Sequence, residues 1–204
     1  MHRLGCTLLC ISAHVASILS DNPSKVAYFS FVSSIQNVTE SPSSITVYNE
    51  LLQVDDSPFE QVDLPWKFNL LGSNINRLFI SPNGGLHASS VQPCPPENYF
   101  TTTDYGLYNS YYGVIGALLT DLNPHASPDG NITSYTRNDH LTVEYHNIVY
   151  FGTGVSNSFR IRVFKDSHIE IAYDKISKVP SLNVPRNQMW SSGLRSFKDN
   201  EYAY

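Results

Sequence analysis

The tightest constraint on the fold is a run of strict period-two alternation in the second half of the chain. Between His140 and His146, Leu141, Val143 and Tyr145 share one side of an extended strand, with His140, Thr142, Glu144 and His146 on the other. Phe159, Ile161 and Val163 then alternate with Arg160 and Arg162, and after Lys165-Asp166-Ser167 the pattern resumes at Ile169, Ile171 and Tyr173. Successive side chains of a β-strand point to opposite faces, so each run predicts a strand with one face toward a core. The three-residue connection sets Val163 opposite Ile169 and Arg162 opposite Glu170. That second pair is of opposite charge and is worth about 0.2–1 kcal/mol. Pattern and register agree, and an antiparallel hairpin follows.

Other segments extend the sheet. Residues 112–122 are almost continuously apolar and predict a strand buried on both faces, with Gly113 and Gly116 favouring strand over a short buried helix. Residues 66–71 and 77–81 are short apolar runs, and the second meets Pro82-Asn83-Gly84-Gly85 before Leu86-His87-Ala88. Asn-Gly between apolar strands predicts a hairpin whose two central residues both take positive φ. No long amphipathic helix is visible, so the expected fold is all-β, an antiparallel β-sandwich or curled sheet. Only 15% of residues are charged, against about 25% in an ordinary soluble domain. In their place stand 26 Ser, 17 Asn and 13 Tyr, which suits an extracellular surface. A net charge of -5 gives no electrostatic basis for nucleic-acid binding.

Residues 1–20 follow the order of a secretory signal peptide: Arg3, an apolar run through Leu8, Leu9, Cys10 and Ile11, then small residues at Ala16, Ser17 and Ser20. Cleavage is expected after Ser17 or Ser20. A signal anchor and an ordinary buried first element are the alternatives. Residues 21–65 read as a loosely ordered leader or edge region with possible short strands at 26–32 and 45–51, and residues 66–204 as one β-domain. Cys6 and Cys10 would leave with the signal, and Cys94 would remain alone in a proline-rich loop. Asn37-Val38-Thr39 and Asn131-Ile132-Thr133 are glycosylation sequons, so Asn37 and Asn131 are expected on the surface and glycosylated.

Signs of chemistry are sparse. His140, Glu144 and His146 have spacings open to a metal, but a solvated strand face explains them better, and no further ligand is specified. Asp121, Asn123, Asp129 and Asn131 offer oxygens around one loop, but the spacing is not that of the twelve-residue calcium loop, and turn chemistry accounts for them. Gly152-Thr153-Gly154 lacks the third glycine of a dinucleotide fingerprint, and no Gly-x-Ser-x-Gly elbow occurs. No metal, cofactor or catalytic residue is therefore expected. The long loop 91–112 carries Tyr99, Tyr105, Tyr108 and Tyr111, the candidate recognition surface, because tyrosine supplies rigid contact area with a polar tip. The same rings could instead cap the end of the sandwich.

At Ser158-Phe159-Arg160-Ile161-Arg162-Val163-Phe164-Lys165-Asp166 and His168-Ile169-Glu170-Ile171-Ala172-Tyr173 the chain resembles the plexin domain-containing proteins, or tumour endothelial markers. The likeness extends to the apolar strand Gly113-Val114-Ile115-Gly116-Ala117-Leu118-Leu119 with its Asp121-Leu122-Asn123-Pro124 turn, and to Ser192-Gly193-Leu194-Arg195. The resemblance implies a nidogen-like extracellular domain of a single-pass glycoprotein, attached to the membrane through a span missing from this chain. It also implies a non-catalytic receptor or adhesion role toward extracellular protein or matrix ligands, at the outer side of the plasma membrane, or secreted if the chain is complete. The alternative is a secreted hydrolase or carbohydrate-active protein with a site assembled from distant His and Asp.

Overall fold

The computed structural model describes residues 9–16, 28–34, 46–47, 55, 60–70, 72–89, 111–177, 191–196 and 202–203. Its strands are β1 (Leu9–Ala16), β2 (Tyr28–Ser34), β3 (Thr46–Val47), β4 (Glu60–Leu70), β5 (Ser73–Ser81), β6 (Gly85–Ser89) and β7 (Tyr111–Leu119). They continue as β8 (Leu122–Asn123), β9 (Asn131–Thr136), β10 (His140–Tyr150), β11 (Ser156–Phe164), β12 (Ile169–Lys175), β13 (Ser191–Ser196) and β14 (Tyr202–Ala203). One sheet runs β2-β1-β12-β11-β10-β9-β3, with β8 on β10, and the other β14-β13-β7-β6-β5-β4. Every pairing is antiparallel, and the two sheets do not close into a barrel. The all-β sandwich expected from the alternation is the architecture found.

The core lies between the sheets. Phe68, Leu78, Ile80, Leu86 and Ile115 from one sheet share a buried cluster with Leu141, Val143, Tyr145, Phe159, Ile161 and Val163 from the other. Hydroxyls join the layers: Tyr145 Oη donates to the Ser81 carbonyl at 2.8 Å, and Tyr173 Oη to that of Ala117 at 2.7 Å. The edge strand β4 is stitched to the hairpin ends of the facing sheet, with Trp66 Nε1 on the Arg137 carbonyl and the Asn69 amide on Ser167 Oγ. β4 alternates strictly, burying Val62, Leu64, Trp66, Phe68 and Leu70. It runs through Pro65, so the boundary expected between residues 65 and 66 falls inside a strand. Pro65 occupies an exposed position of an edge strand where the register shifts between Asp63 and Phe68. A residue without an N–H is tolerated at such a place.

The β11–β12 hairpin has the expected register, with Val163 opposite Ile169 and Arg162 opposite Glu170. The Phe164 amide bonds the His168 carbonyl and closes the loop, and Ser167 takes a left-handed φ of 72°. The β5–β6 turn lies where the sequence places it, but its type differs. Ser81 pairs with Gly85 across a three-residue loop, and in it only Gly84 has positive φ, at 86°. A three-residue hairpin needs one left-handed position, where the two-residue turn needs two. Asn83 then takes another role: its buried Oδ1 accepts the Leu122 amide at 2.7 Å. In β10, Asn147 (φ 51°) forms a bulge that shifts the register between Tyr145 and Ile148 and lets both reach the core.

On the side of β5, β6 and β7 away from the core cluster, Phe79, His87 and Val114 stand in one row and are all buried. Burial pushes the His87 pKa from 6.5 down to about 3. The folded ring stays neutral while the unfolded chain takes up a proton below pH 6.5, so stability falls as pH drops from 6.5 toward 3. By about pH 5 the loss should be on the order of 2 kcal/mol. Urea midpoints should fall between about pH 7.5 and pH 5 in the wild type and much less in His87→Leu. A wild-type midpoint that ignores pH would contradict the buried neutral ring.

Candidate recognition surface

The outward face of β9 to β12 is built by register. Tyr135, Thr142, Arg162 and Glu170 lie opposite one another across the four strands, and Thr133, Glu144, Arg160 and Ala172 form the next row. Asn131 and His146 begin a third. At the other end His140 faces Phe164, which His168 follows through the closing bond of the hairpin. The rings form a continuous series. Tyr135 meets His140 edge-on with centroids 6.5 Å apart, His140 lies 5.2 Å from Phe164, and Phe164 stacks on His168 at 5.0 Å. The Arg137 guanidinium sits 5.6 Å over the Tyr135 ring, a cation–π contact that adds a charge to the apolar end of the series.

Charges on this face are paired. Arg162 Nη1 donates to Glu170 Oε2 at 3.3 Å, with only 7% of the Arg162 side chain exposed. Arg160 stands 4.0 Å from Glu144, and His168 Nε2 4.0 Å from Glu170 Oε1. His140 Nδ1 lies 2.8 Å from Asp139 Oδ1. This hydrogen bond holds the Asp139 carboxyl below its ordinary range. Two buried atoms here, His140 Nε2 and Thr142 Oγ1, make no hydrogen bond. The face therefore combines a series of packed rings, oriented ion pairs and two buried polar atoms without a hydrogen bond.

The solvated face expected for His140 and Thr142 is not what forms: both residues are buried, and only the His146 end is open to solvent. Long neighbours explain this: with Tyr135 and Arg162 opposite it on either side, a short Thr142 lies in a well between larger side chains. The Glu144–Arg160 pair has no counterpart in the sequence reading, because the Asn147 bulge conceals how β10 and β11 align. Nor does Phe164, although its place one step beyond Arg162 on the outward side is a usable signal.

Among the other expected sites, Asn131 and Thr133 both lie on the outward side of β9, half-buried, beside the exposed His146. Asn123 does turn chemistry: it caps the short 3-10 helix Pro124–Ala126, its Oδ1 accepting the Ala126 amide at 3.0 Å. Tyr99, Tyr105, Tyr108, Asn37 and Cys94 lie outside the described residues, and Tyr111 is described only as the first residue of β7. No helix among the described residues is long and apolar enough to cross a membrane.

The sequence profile of the NIDO-related (nidogen-related) family matches residues 28–201. The chain belongs to this family. The match begins at the first residue of β2 and takes in every strand from β2 to β13, leaving β1 of one sheet and β14 of the other outside it. Membership places the nidogen-related domain on the extracellular side. No curated protein matches the chain, and no solved structure does either.

Proposed function

We propose that the chain is a non-catalytic extracellular recognition domain of receptor or adhesion type, as in the plexin domain-containing proteins it resembles, binding a protein or matrix ligand. The observation that carries this reading is the outward face of β9 to β12. Its arginines and carboxylates are held in cross-strand pairs and its rings pack against one another in series, an arrangement that offers fixed contacts to a broad partner. The closer of the two His–carboxylate pairs on this face, His140–Asp139 at 2.8 Å, favours binding too. Asp139 is 73% exposed where an orienting carboxylate is ordinarily buried, and the His140 ring is enclosed by Tyr135 and Phe164.

The test is adhesion of the secreted protein to immobilised extracellular-matrix extract. Glu144→Lys, at a partly exposed position beside Arg160, should lower adhesion at least tenfold, about 1.4 kcal/mol. Its melting temperature should stay that of the wild type. Unchanged adhesion would remove the face from the proposal. Glycosylation is expected at Asn131 on the same geometry, with the Asn and Thr side chains on one outward side of β9. Asn131→Gln should then abolish one glycosidase-sensitive mobility shift, and protein from secretory cells carrying no sugar there would refute it.

A further inference from the structure

We propose that β2 takes the place beside β12 in the mature protein, the place that β1 holds in the unprocessed chain. This rests on the secretory reading given above. β1 lies wholly inside the residues that carry the signal pattern, and the family match starts at Tyr28, the first residue of β2. The nidogen-related domain is therefore defined without β1. Yet β1 fills a position that the domain cannot leave bare. It pairs with β12 from Leu9 opposite Tyr173 to Ala13 opposite Ile169. β12 is a core strand, with Ile169 buried in the central cluster and Ile171 and Tyr173 packed against it.

Removing β1 would expose a row of unpaired N–H and C=O groups along that strand, an open template for aggregation. The same step frees β2, which is hydrogen-bonded to β1 from Tyr28 opposite Ala16 to Ser34 opposite Cys10. Two strands would then face each other across a gap of one strand. Composing the two registers, a shift of β2 by one strand spacing brings Phe31 opposite Ile169 and Ser33 opposite Ile171. The shift is across the sheet and not along it, so the register of β2 along β12 is the one that β1 now transmits between them. The new pairing is parallel, since β2 and β12 both run antiparallel to β1.

Disulfide trapping tests this in the full-length chain expressed through the secretory pathway, with Cys94→Ser, Phe31→Cys and Ile169→Cys. With β1 in place the two Cα atoms are two strand spacings apart, about 9–10 Å. A disulfide cannot bridge more than about 7 Å. The expected result is an N-terminus after Ser17 or Ser20 together with an intramolecular disulfide between positions 31 and 169 in most of the product. Hydrogen exchange on the wild-type product should agree, with the β12 amides protected. A processed chain with no bridge and rapid exchange along β12 would overturn the strand transfer and leave the secretory reading standing. An intermolecular bridge would give the position to a second copy and overturn it too. An intact Met1 with no bridge would overturn the secretory reading itself and the transfer with it.

Discussion

Gly84→Ala should destabilise the domain by about 3–5 kcal/mol, enough to block secretion of a domain of ordinary stability. Gly84 sits at φ 86°, where an alanine costs about 1–2 kcal/mol for the left-handed backbone alone. An added Cβ would also overlap the Leu118 carbonyl oxygen, a backbone atom of β7 that cannot rotate away. Moving it disturbs the bonds that the Ala117 and Leu118 amides donate to the Gly84 carbonyl at 3.1 and 3.2 Å. Each contributes about 0.5–1.5 kcal/mol. Gly72 separates these causes. It has nearly the same φ, 87°, with nothing within 4 Å of an added methyl, so Gly72→Ala should cost only about 1–2 kcal/mol. Urea unfolding of both variants decides the matter, and equal losses would sink the close-approach account.

Phe159→Ala should cost about 3–5 kcal/mol, the usual range for an aromatic ring removed from a full core. Phe159 is 1% exposed and stacks on Tyr145 with centroids 4.5 Å apart and planes 15° from parallel. Tyr145 in turn holds the sheets together through its hydroxyl, which donates to the Ser81 carbonyl and also reaches that of Gly85 at 3.2 Å. Tyr145→Phe keeps the stack and drops the hydroxyl, leaving buried carbonyls short of a donor at a cost of about 1–3 kcal/mol. A double-mutant cycle of Phe159→Ala with Tyr145→Ala, which removes the ring, should give a coupling of about 0.5–1.5 kcal/mol for the ring pair. Strict additivity would mean that the stack is geometry without energy.

What the residues reveal on their own is set by local rules. The β11–β12 register is legible because a short connection and two alternating runs leave little freedom, and Arg162 does face Glu170. β7 is legible as a strand buried on both faces because Val114, Ile115, Ala117 and Leu118 are apolar in succession. The Asn83–Gly84 turn can be located, but its type depends on which residues pair across it. The burial of His140 and Thr142 is not legible. Alternation tells which side chains share a face, and nothing in one strand's sequence tells what its neighbours lay over that face. The Glu144–Arg160 pair is hidden for a related reason, since one bulge residue at Asn147 shifts all counting between β10 and β11.

The pairing of β3 with β9 also bears on how the protein is made. Thr46 waits for Ser134, and Val47 for Thr133, so roughly 90 residues must be synthesised before that edge of the sheet can close. At ordinary translation rates this is an interval of about 5–20 s. β13, which pairs with β7, arrives later still. On the ribosome the early strands spend this time without their final neighbours, and a domain assembled from such distant pairings folds slowly. Its yield in the secretory pathway should therefore depend on the supply of chaperones as much as on the stability of the finished fold.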